Sequence, residues 1–95
     1  MFIVNFWHAV SNYDEWKKLF DSDPLQRQKS GVRSYYITRP PDYPNYVVAG
    51  LEFDSREKAE AFLTRLRELW GSASAKNTIT DADGRIMEIV ENKTY

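Results

Sequence analysis

His8 is the only histidine in the chain, and so the only side chain whose unperturbed pKa lies near neutral pH. Placed in a cleft, it can exchange a proton or hold a hydrogen bond, with Glu52 or Glu88 to orient it. Placed in a core, it needs only a backbone partner, because burial of a polar group demands satisfaction and not catalysis. Glu52 and Glu88 each stand among apolar neighbours in a strand-like run. A carboxylate buried there needs Arg33, Arg39, Arg85, a tyrosine hydroxyl or His8, whereas one at a strand edge needs only water. Other chemistries lack their residues. With no cysteine there is no disulfide, no thiolate nucleophile and no Cys-based metal site, and one histidine cannot build the usual metal cluster, so no metal is expected. No serine sits in a nucleophile elbow and no glycine-rich phosphate loop occurs. Asp81-Ala82-Asp83-Gly84 has the opening residues of a calcium loop, but no ligating continuation or terminal Glu follows, and it reads as a turn.

The elements that must carry these residues follow from periodicity. Ser55 to Gly71, SREKAEAFLTRLRELWG, places Ala59, Phe62, Leu63, Leu66, Leu69 and Trp70 on one side of a helix and Lys58, Glu60, Arg65, Arg67 and Glu68 on the other. Ser55 is its N-cap, Glu57 favours its first turn, and Gly71 is placed to end it in a left-handed turn. Phe2 to Val10 reads as a strand with Phe2, Val4, Phe6, His8 and Val10 on one face and Ile3, Asn5, Trp7 and Ala9 on the other. Both faces are apolar enough to be buried, as expected if one covers helices and the other meets a second sheet.

Asn12 with Glu15 three residues later opens a helix whose stripe is Tyr13, Trp16, Leu19 and Phe20. Asp23-Pro24 interrupts it and predicts a short second helical piece as far as Ser30-Gly31. Val32 to Arg39 is a second strand. The stiff loop PPDYPN leads to a third, Tyr46 to Phe53, whose Val47, Ala49, Leu51 and Phe53 face the helices and whose Tyr46, Val48, Gly50 and Glu52 lie opposite. Ser72 to Gly84 is a polar connection with a short turn around Asn77 to Thr80. Arg85 to Glu91 is the last strand, and Asn92 to Tyr95 a tail that a partner chain can hold.

Ninety-five residues make one domain, 1–95, in which folding removes only roughly 60 to 65 per cent of the unfolded surface, so a second interface helps considerably. The aromatic share is 15%, more than one thin core hides easily. A net charge of -1 offers nothing to nucleic acid or an anionic membrane. MFIVNFWHAV has no basic n-region and is too short and interrupted for a signal peptide or span, so the chain reads as soluble and cytoplasmic.

Strand, helix, strand, strand, helix, strand is the α+β, ferredoxin-like βαββαβ order, an antiparallel sheet with both helices on one face. The bare face is rich in large apolar side chains, which predicts a sheet-on-sheet homodimer. At this point the chain resembles the dimeric α/β barrel superfamily, which includes antibiotic-biosynthesis monooxygenases and polyketide cyclases. The resemblance spans nearly the whole chain and rests on His8-Ala9-Val10 with Asn12-Tyr13-Asp14-Glu15-Trp16-Lys17, on Gly31-Val32-Arg33-Ser34-Tyr35, and on Leu51-Glu52-Phe53-Asp54-Ser55 leading into Ala59-Glu60-Ala61-Phe62.

It implies a small organic ligand in a cleft between the sheet and the helices or partner. It also implies either cofactor-independent oxygenation or cyclisation or isomerisation of an activated carbonyl compound. His8 would then be the acid-base group, with Tyr36, Glu52 or Glu88 positioning substrate. The competing class is a non-catalytic ligand-sensing or dimerisation module. Members that degrade haem place an asparagine on the first strand and a tryptophan late in the second helix, followed by an iron-ligating histidine. Asn5 and Trp70 fit the first two places, but GSASAKNTITD has no histidine, so no cofactor is expected and haem is disfavoured. Residues 5 and 8 of a regular strand face opposite ways, so either Asn5 and Trp7 or His8 lines the cleft toward the partner. The resemblance at His8 to Val10 favours His8.

Overall fold

The alternation of Phe2 to Val10 is resolved by what lies beside it. In a computed structural model describing residues 1–95, with Ser74 described by its backbone alone, β1 (Phe2–Val10) pairs antiparallel with β3 (Tyr46–Phe53), setting Val4 opposite Leu51, Phe6 opposite Ala49 and His8 opposite Val47. These six side chains share the face that the helices cover, and all are buried. The elements run β1, α1 (Tyr13–Asp21), β2 (Ser34–Thr38), β3, α2 (Arg56–Trp70), a short α3 (Ala73–Lys76) and β4 (Ile79–Glu88). The four strands form one antiparallel sheet in the order β2-β3-β1-β4. This is the predicted ferredoxin-like arrangement with one extra helical turn before the last strand.

Both helix starts follow their local chemistry. Asn12 Oδ1 accepts from the Glu15 amide at 3.0 Å and Ser55 Oγ from the Lys58 amide at 3.3 Å, each satisfying a donor that the first turn leaves free. α2 buries Ala59, Phe62, Leu63 and Leu66, the stripe read from its spacing, and Phe62 meets Phe53 at 5.5 Å between ring centroids. It lies close on β1, β3 and β4, whereas α1 stands further off and reaches the sheet through long side chains, Trp16 above all.

Five local expectations are corrected. Asp23 to Ser30 is a set of turns and not a second helix, because Asp23 and Gln26 take left-handed backbone at φ 57° and 49°. Asp23 Oδ1 instead accepts from the Arg27 amide at 2.9 Å, and Arg27 Nη1 donates back to the Phe20 carbonyl at 2.6 Å. Gly71 closes α2 in right-handed backbone at φ -80°, its amide donating to Arg67 O at 3.2 Å. β2 is shorter than Val32 to Arg39, and β4 starts at Ile79 rather than Arg85. Asp81-Ala82-Asp83-Gly84 is therefore strand and not turn. A register shift between Trp7 and Ala9 accommodates Asp81 at φ 55°, and polar residues are tolerated because β4 is an edge strand.

Candidate functional site

Between the sheet and the helices lies an apolar cavity of about 50 Å³. Phe6 and Leu51 rise from the sheet, Trp16, Leu19 and Phe20 come from α1, and Phe62, Leu66 and Leu69 come from α2. Ile79 closes one side, and Asp23, Pro24, Leu25 and Arg27 close the mouth. The volume suits little more than a water-sized occupant, while benzene fills a cavity of roughly 150 Å³. Arg27 is not free at that mouth. Its guanidinium stacks 3.9 Å from the Phe20 centroid, lies 5.2 Å from that of Tyr35 and sits 3.4 Å from Asp23 Oδ1.

His8 adjoins this cavity behind its aromatic wall. Its ring stacks on Phe6 at 5.5 Å and meets the edges of Trp16 at 5.3 Å and Trp70 at 6.4 Å. The residue is wholly buried, and neither Nδ1 nor Nε2 has a hydrogen-bond partner. Burial pushes its pKa from 6.5 down to about 4, with its own backbone opposing slightly in an alignment that falls short of a hydrogen bond. At neutral pH the imidazole is uncharged, with one donor and one acceptor nitrogen unused.

The expected placement of His8 in a cleft facing the partner is corrected: it lies beneath the helices. The opposite face of β1 carries Ile3, Asn5 and Trp7 across the sheet from Glu52, Gly50 and Val48. Tyr36 lies on this open face opposite Gly50, so closely that a Cβ on Gly50 would fall 2.5 Å from its ring and push that exposed ring aside. Glu52 also belongs to the open face, its Oε2 accepting from Ser34 Oγ at 3.3 Å. Glu88 is exposed near the end of β4, opposite Phe2. Within one chain, Tyr36 and Glu52 are therefore separated from His8 by the sheet, and Glu88 stands apart from all three. None of the expected partners orients the imidazole. Sequence reading missed the closing segment, whose signal was Leu25, the one large aliphatic residue in the polar stretch DPLQRQKSG.

SnoaB, a cofactor-independent oxygenase from Streptomyces nogalater, matches with a TM-score of 0.74 at 12% identity over 96% of this chain and 94% of that one. An antibiotic biosynthesis monooxygenase matches at 0.66 and 16% over 96% and 100%. The fold is that of the antibiotic-biosynthesis monooxygenase structures. A mutant of MhuD, solved with two manganese protoporphyrin IX molecules per active site, shares this monooxygenase-type fold at 0.73 and 16% over both full chains. No family model matches the sequence, and no curated protein matches it.

Asn5 and Trp70, the two residues that fit places of the haem-degrading pattern, lie on opposite sides of the sheet. Trp70 packs at 5.9 Å from Phe6 on the helix side, whereas Asn5 faces the open side. The register shift on β1 falls after Trp7 and does not carry Asn5 across. No group of His, Cys, Asp and Glu suited to a metal ion occurs among the described residues, and among them no helix is long and apolar enough to cross a membrane.

Proposed function

We propose that this chain is a homodimeric, cofactor-independent enzyme that takes a small, largely apolar carbonyl compound between sheet and helices and oxygenates it. In such a reaction the substrate is itself the reductant. An activated methylene loses a proton, the carbanion reduces dioxygen, one oxygen atom is retained as a carbonyl and the other leaves as water, so that CH₂ + O₂ gives C=O + H₂O. Cyclisation and isomerisation of activated carbonyls share the first step. What the protein must contribute is a dry site, substrate orientation and a proton acceptor.

The observation that carries this reading is a neutral imidazole with both nitrogens unpartnered, walled by aromatic rings beside an apolar cavity. His8 is the proposed proton acceptor, uncharged above its lowered pKa of about 4. The fold shared with a cofactor-independent oxygenase supports the reaction class. Sheet-on-sheet pairing is supported by the open face, where Tyr36, Tyr46 and Met87 are exposed beside Trp7 and Val48. Tyr36 and Glu52 act there in subunit pairing rather than on substrate, and Glu88 stays solvated.

A specific observation favours a second, non-catalytic reading: the cavity as it stands is too small for a substrate, as in a sensing module that opens only for its ligand. Activated-methylene compounds such as 2-indanone separate the possibilities. Solvent-deuterium exchange with oxygen uptake marks an oxygenase, exchange alone an isomerase or cyclase, and binding without exchange a sensing module. Either of the last two outcomes overturns the oxygenase, and failure of all three removes the ligand site as well.

A further inference from the structure

We propose that Trp16 is a gate and that one ring nitrogen of His8 is the polar anchor behind it, the other staying free as proton acceptor, so that among uncharged ring-bearing carbonyl compounds the opened pocket selects those that also carry one hydroxyl. The inference rests on the reading of the helix-side cavity as the ligand site, and adds to it the buried end of the pocket and the ligand's chemical class.

Two unpaired nitrogens on a fully buried ring are costly, each lost partner being worth about as much as a hydrogen bond left unmade. A trapped water is a poor remedy. It needs two to four polar partners, whereas Phe6, Trp16 and Trp70 around the imidazole present ring faces and edges with no side-chain polar group beyond the two indole N–H donors. A ligand hydroxyl needs only one partner there, and its carbon skeleton suits the same walls.

Trp16 is the wall that both spaces share. It lines the cavity and meets the His8 ring edge-on at 5.3 Å. It is carried by α1, nine residues long and less closely applied to the sheet than α2. α1 is followed by a segment with two non-glycine residues in left-handed backbone, Asp23 and Gln26. Movement of the indole joins the cavity to the imidazole and enlarges it from about 50 Å³ toward the size of a single ring. Charge on the ligand is disfavoured, because Arg27 is already engaged by Asp23, the Phe20 carbonyl and two aromatic faces. Asp23 itself would repel an anion.

Phenol and toluene test this, being the same ring with a hydroxyl or a methyl. The single histidine gives an unambiguous ¹⁵N signal. Phenol is expected to shift one His8 ring nitrogen and to bind about tenfold more tightly than toluene, the effect of one good hydrogen bond. His8→Phe should remove that preference. If His8→Phe does not fold, the wild-type ¹⁵N spectrum decides alone. If both ligands perturb the methyls of Leu66 and Leu69 equally and leave the imidazole unmoved, the anchor is refuted while the pocket stands. If neither perturbs those methyls, the pocket reading fails and the inference with it.

Discussion

Replacing His8 by Phe isolates the energetic consequence of burying an imidazole without partners. Ordinary histidine titrates near 6.5, and in the folded chain burial holds this one near 4. The folded state therefore binds the proton more weakly than the unfolded state, and stability is fully present above pH 6.5 and lost as pH falls toward 4. At about 1.4 kcal/mol for each tenfold difference in proton affinity, the full loss is about 3 kcal/mol, with about 2 kcal/mol gone by pH 5. Below pH 4 the folded ring is protonated too, and the contribution levels off. Every other titratable group is common to the two proteins, so the difference between them reports His8. Urea unfolding followed by tryptophan fluorescence at about pH 7.5 and about pH 5, at one fixed protein concentration, measures it. The variant should be at least as stable as the parent at the higher pH, because two unpaired nitrogens disappear, and should lack the parent's extra loss at the lower one. Equal pH dependence in the two proteins would refute the reasoning, showing that the folded imidazole meets protons as freely as an exposed one.

Gly84→Ala should cost about 1 to 3 kcal/mol in urea unfolding, since its Cβ would meet Asn5 O and Leu63 Cδ1 at 3.1 Å and Phe6 Cβ at 3.2 Å, where a backbone atom cannot yield easily. Asn12→Ala removes the acceptor of the Glu15 amide and should lower stability by about 1 kcal/mol, read in the same assay. Sedimentation at micromolar concentration should give a species of twice the 11.2 kDa chain, and Trp7→Glu on the open face should shift it to monomer. A single species of one chain's mass in the parent would remove the sheet-on-sheet dimer.

Much of the fold was legible because its causes are local or strongly periodic. The caps at Asn12 and Ser55, the stripe Ala59, Phe62, Leu63 and Leu66, and the apolar face Val47, Ala49, Leu51 and Phe53 all follow from spacing alone. The site was less legible, because β1 is apolar on both faces and its parity is decided only by pairing with β3 across the sequence. Once His8 stands opposite Val47, it is committed to the helix side with Phe6, and Tyr36 and Glu52 are committed to the other. The turns over Asp23 to Ser30 depend on Arg27 reaching back to Phe20 and on left-handed backbone at two ordinary residues, neither of which a helix-start pattern reveals. The first half of β4 is polar because it is an edge, and composition alone made it a connection.

The most direct test of the account is a crystal structure of the protein soaked with phenol. Density is expected between α1, α2 and the sheet, with Trp16 displaced and the phenol oxygen within hydrogen-bond distance of a His8 ring nitrogen. Density confined to the open face around Tyr36 and Trp7, with the helix-side cavity still closed over His8, would contradict it.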